Sequence, residues 1–119
     1  MSVKKIIRHS IAASIPLVRA LNRRTPSVAE ITYAAQKSLP GLHAALTQVD
    51  VESSSPAARQ SHDNYGHLSV VLDQALAGAQ MIARTTPNEV MATYTITEAQ
   101  NYREGIALFS EAYNWLQHQ

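Results

Sequence analysis

The chain has no cysteine. That excludes a disulfide framework, a thiolate metal site and a cysteine nucleophile, and it suits a reducing compartment. Only four glycines occur in 119 residues, and no P-loop or G-x-G-x-x-G pattern is among them, so there is no loop to cradle phosphate. The nucleophile signatures G-x-S-x-G and S-x-x-K are absent as well. Aromatic residues make up 6%, too few for a β-sandwich, whose strands favour aromatic and β-branched side chains. No apolar run reaches the roughly 18 residues of a membrane span. The first 24 residues hold a short apolar run, Ile11 to Val18. Arg19, Arg23 and Arg24 follow at once, with no small-residue cleavage site, so we do not read a secretory leader.

What is present is a hydrophobic share of 45%, enough to fold, with abundant alanine that suits close-packed helices. The length implies a single domain, residues 1–119. Its net charge of +1 hides a division by position. Residues 1–40 carry seven cations (Lys4, Lys5, Arg8, Arg19, Arg23, Arg24 and Lys37) against Glu30 alone, a net of +6. Residues 41–119 carry Arg59, Arg84 and Arg103 against eight acids, a net of −5. A basic end of this kind seeks a polyanion or an acidic protein surface.

Helix punctuation is frequent. Ser27-Val28-Ala29-Glu30 reads as a capping box, and so does Thr97-Glu98-Ala99-Gln100. Thr86-Pro87-Asn88-Glu89 and Ser55-Pro56 place proline at a first helical position, where its missing N–H costs nothing. Apolar residues recur at three and four. One stripe runs Ile7, Ile11, Ser14, Val18, Leu21; a second Leu68, Leu72, Ala75, Ala79, Ile82; a third Ala99, Tyr102, Ile106, Phe109, Tyr113, Leu116. The expectation is an all-α fold, a compact bundle of about five or six helices near 3–23, 26–38, 41–49, 56–84, 87–94 and 97–117. Pro16 should kink or split the first. The long stripes suit either an internal core or a seam between copies.

Chemistry has little support. Among His9, His43, His62, His67 and His118 no two are spaced i, i+4, so no helix offers a ready metal-ligand pair. Asp63 and His67 share a helical turn, as surface pairs do. The acids are scattered rather than paired for acid–base work. We therefore expect no enzyme, no metal and no cofactor.

Residues 27–46 resemble the helix-turn-helix of TetR-like and LacI-like regulators. Val28, Ile31 and Ala35 match the first helix, Ser38 the cap of the second, and Leu42 and Leu46 its buried face. The resemblance implies a second helix in the major groove, with Leu39, Gly41 and His43 near bases and Arg23, Arg24 and Lys37 near phosphates. The family's turn is usually glycine followed by an apolar residue; here it is Gln36-Lys37. Asn101-Tyr102-Arg103-Glu104, leading to Ala112, resembles a stretch of the helical nucleocapsid-shell proteins of enveloped double-stranded RNA bacteriophages.

The leading expectation is a non-catalytic interaction or assembly protein, oligomeric, intracellular or virion-associated. Its partner would be another copy, another protein or nucleic acid. The candidate binding residues are Lys4, Lys5, Arg8, Arg19, Arg23, Arg24, Lys37 and His43. Tyr113 and Trp115 either mark a contact surface or cap the core. The alternative is the DNA-binding regulator.

Overall fold

The structure, a computed structural model, describes residues 2–54, 65–85 and 94–119. Four helices make up these residues: α1 (Val3–Leu21), α2 (Val28–Ser53), α3 (Tyr65–Ala83) and α4 (Ile96–Gln117). Hydroxyl caps open three of them. The Ser2 Oγ accepts from the Lys5 N–H at 3.2 Å, the Ser27 Oγ from Glu30 at 3.4 Å and the Thr95 Oγ1 from Glu98 at 3.1 Å. Each satisfies one amide that the first turn would otherwise leave without a partner. The last box is therefore Thr95 to Glu98, two residues before the one expected at Thr97; the Thr95 hydroxyl also donates to the Glu98 carboxylate. The Pro56 and Pro87 helix starts and the 87–94 helix fall on or overlap residues outside those described.

Helix count and boundaries differ from expectation. Residues 28–53 form one helix, so the expected segments 26–38 and 41–49 are continuous through Pro40 and Gly41. No turn interrupts Gln36-Lys37. Gln36 instead donates its side-chain amide to the Ala83 carbonyl at 3.3 Å, tying α2 to the end of α3. The two-helix unit expected over 27–46 is thus absent: Leu39 and Gly41 are half-buried in packing and only His43 of the three is exposed. Pro16 likewise lies inside α1 without ending it. A proline removes one ladder bond, and burial on neighbouring helices outweighs that loss at both sites.

Packing follows chain order. α1 lies on α2, α2 on α3 and α3 on α4, while α1 meets α4 far more thinly. The pairs run antiparallel. Along α1 and α2, Ala13 lies against Gly41 and Arg23 against Glu30. Along α3 and α4, Gly78 lies against Gly105, Gln74 donates to the Leu108 carbonyl at 3.0 Å and His67 packs on Trp115. At Gly78 a Cβ would fall 2.7 Å from both the Gly105 oxygen and the Phe109 nitrogen. The two backbones touch there, and only glycine permits it.

One apolar cluster joins all four helices, with Ile6, Leu17, Leu42, Val49, Leu68, Leu72, Ile82, Phe109 and Leu116 almost wholly enclosed. The expected α3 stripe is buried at every position. In α4 the buried line is Tyr102, Gly105, Phe109, Ala112 and Leu116, leaving Ala99, Ile106 and Tyr113 half-buried. Burial, and secondarily the charge of Tyr94, push the Tyr102 phenol above its ordinary pKa. In α1 the buried line is Ile6, Ser10, Ser14, Leu17 and Ala20, with Ile7 beside it. Ser10 and Ser14 are enclosed because each hydroxyl donates to a carbonyl one turn back, at 2.7 and 2.8 Å. Ile11, Val18 and Leu21 are displaced to the flank that faces α4.

Candidate polyanion-binding surface

All seven N-terminal cations are exposed, but they form two groups. Lys4, Lys5 and Arg8 stand in the first two turns of α1. Arg19 ends that helix, Arg23 and Arg24 lie in the link that follows, and Lys37 stands on α2. At a rise of about 1.5 Å per residue, Arg8 and Arg19 are separated by about 16 Å along the axis.

The second group surrounds a shallow cleft of about 400 Å³ between the end of α1 and the start of α2. Arg19, Arg23 and Lys37 line it with Pro16, Glu30 and Tyr33. The antiparallel link places them there, by returning the chain so that Glu30 sits beside Arg23. The Arg23 Nη1 and the Glu30 Oε2 are 3.0 Å apart, with both side chains about half exposed. Such a pair adds little stability; its effect is to hold one guanidinium at the cleft wall. The Glu30 carboxylate thus serves Arg23, and only its backbone N–H serves the Ser27 cap. Among the described residues, no acid pairs with Arg19, Arg24 or Lys37. Arg19 also sits in the last turn of α1, where a cation suits the helix dipole.

Tyr33 was not among the residues singled out from the sequence. It is 53% exposed and presents an aromatic face at the cleft. Its signal was its spacing of four from Lys37 on a helix, which puts both on one face. His43 is exposed on α2 but is not a lining residue of this cleft, and Lys4, Lys5 and Arg8 are likewise elsewhere.

Tyr113 and Trp115 do not form one surface. Tyr113 faces α1, stacks on Phe109 at 6.1 Å and accepts from Gln117 through its hydroxyl at 3.2 Å. Trp115 faces α3, with its ring 4.8 Å from that of His67. The structure thus assigns His67 an aromatic neighbour; Asp63, its expected partner, is outside the described residues. Asp73, Glu104 and Glu111 are exposed on α3 and α4.

Among the described residues no group of three or more His, Cys, Asp or Glu side chains is placed to hold a metal ion. No helix among them is long and apolar enough to cross a membrane. The arrangement can neutralise phosphate or carboxylate charge and can offer Tyr33 as a stacking face. Comparison with protein-family models, with curated proteins and with solved structures finds no match to this chain.

Proposed function

We propose that the chain is a non-catalytic helical interaction and assembly protein, a component of a virion, a nucleoprotein or an adaptor complex. It acts as an oligomer, in an intracellular or virion-associated setting, and docks nucleic acid or an acidic protein surface on the basic side of α1 and α2. The observation that carries this reading is the cleft at the α1–α2 link, where Arg19, Arg23 and Lys37 surround an exposed Tyr33. Arg19 and Lys37 have no acid paired with them among the described residues, and Arg23 is held at the cleft wall by Glu30. Such a cluster favours a polyanion, because binding releases the ions condensed on it. Arg24 in the adjoining link extends the same charge.

The test is fluorescence anisotropy with a labelled single-stranded oligonucleotide and with an acidic peptide, over a series of salt concentrations. The variant Arg19→Glu/Arg24→Glu/Lys37→Glu should bind at least about tenfold more weakly, with a shallower salt dependence. Absence of binding to either probe by the unaltered chain at low salt overturns the reading.

A further inference from the structure

Helix α4 has two flanks, and each borders an uncovered, partly apolar surface, one rimmed by Lys4 and Arg8 and the other holding Glu111 beside His67 and His118. On the α1 side, the thin contact between α1 and α4 leaves a groove with two hollows, of about 280 and 320 Å³. Val18, Leu21 and Tyr113 line one; Ile7, Ile11 and Leu116 line the other. Lys4 and Arg8 stand at the rim of the second, and no acid lines either. On the α3 side is a cleft of about 450 Å³ with Val70, Trp115 and Glu111 in its wall. Val70 is 66% exposed. Asp73 is one turn further along α3, and Glu104 lies two turns before Glu111 on the same face of α4; both are exposed.

A two-fold contact of groove on groove would bring Lys4 and Arg8 no acidic side chain, since none lines either hollow. A two-fold contact of the α3–α4 face on itself would bring Glu111 no lysine or arginine, since none lines its cleft. Only groove on face pairs cations with acids while covering apolar surface on both sides. We infer that the α1–α4 groove of one copy receives the α3–α4 face of a second copy, around Val70, in a head-to-tail contact. Lys4 and Arg8 meet Asp73 and Glu111 across it. This inference rests on the assembly part of the function proposed above and names the surfaces that assemble. A heterologous contact leaves a free groove at one end and a free face at the other, so further copies can add.

Ile11→Asp disables the groove and Val70→Asp disables the face. Sedimentation velocity of each variant alone should show monomer, where the unaltered chain shows larger species that shrink as salt is raised. An equimolar mixture of the two should give a 1:1 dimer and nothing larger, because one sound groove meets one sound face. Circular dichroism checks that both variants keep their helices. Lys4→Glu/Arg8→Glu, at exposed positions, should weaken association at least about tenfold while the helices stay intact. The inference is overturned if Val70→Asp associates like the unaltered chain, if the mixture stays monomeric, or if the unaltered chain is monomeric throughout. Oligonucleotide binding by Val70→Asp, whose change lies far from the basic cleft, separates failure of this interface from failure of the docking reading.

Discussion

The first hairpin, α1–α2, and the second, α3–α4, solve the same packing problem with different materials. Each is an antiparallel pair brought close by glycine. In the second the contact is backbone on backbone: Gly78 and Gly105 face each other, and the surrounding core is almost wholly apolar. In the first, Gly41 meets the methyl group of Ala13, and the core contains Ser10, Ser14, Thr32 and Ser38, all fully enclosed. The first is also the basic half and carries a proline inside each helix. The difference teaches that a helix pair can bury hydroxyls, Ser10 and Ser14 against its own carbonyls and Thr32 and Ser38 without that help, and can keep a proline inside each helix without ending it. The greasier pair needs neither device and relies on closer approach.

The largest expected effect breaks the second seam. In Gly78→Ala the new Cβ falls on backbone atoms of α4, which no side-chain adjustment can clear. The loss should be about 3 kcal/mol, at the upper end for overpacking, read as a fall in the urea midpoint. No second substitution on α4 should restore it.

The first seam should behave otherwise. In Gly41→Ala the new Cβ falls 2.5 Å from the Ala13 Cβ, and the loss should be about 2 kcal/mol. Here the obstacle is a side chain. Ala13→Gly in the same molecule should recover most of the packing, less the cost of about 1 kcal/mol for glycine inside a helix. Failure of that rescue would show that the two seams are alike after all.

The smallest effect has the opposite sign. The Thr32 and Ser38 hydroxyls are buried with no hydrogen-bond partner among the described residues, unlike those of Ser10 and Ser14. A buried group without a partner costs stability. Thr32→Val, which keeps the shape, should therefore raise stability by about 1 kcal/mol, seen as a higher melting temperature. A decrease would mean that this hydroxyl has found an acceptor.

The all-helical character and the α3 core were legible because Leu68, Leu72, Ala75, Ala79 and Ile82 are all apolar, recur at three and four, and are all fully enclosed. In α1 these two properties part company. Ile11, Val18 and Leu21 are more apolar than Ser10 and Ala20, so periodicity selected a stripe rotated toward α4 that shares only Ile7 and Ser14 with the buried residues. In α4 the same happened: Gly105 and Ala112 are small because another helix lies close, and small residues carry little apolar signal. The break expected at Pro40-Gly41 was a local rule overridden by tertiary packing, since Gly41 serves the approach to Ala13 rather than a turn. Exposure of the cations could be read from composition. Their division into two groups could not, because Lys37 joins Arg19 and Arg23 only through the antiparallel return of the chain.

Packing in chain order has a kinetic consequence. Each helix touches chiefly the next, so most tertiary contacts close after a short excursion along the sequence, the condition for rapid folding. It also means that α1 can detach by giving up essentially one seam, whereas α2 and α3 must each give up two. Amide hydrogens of α1 and α4 should accordingly exchange through partial openings, and those of α2 and α3 only when the whole molecule opens.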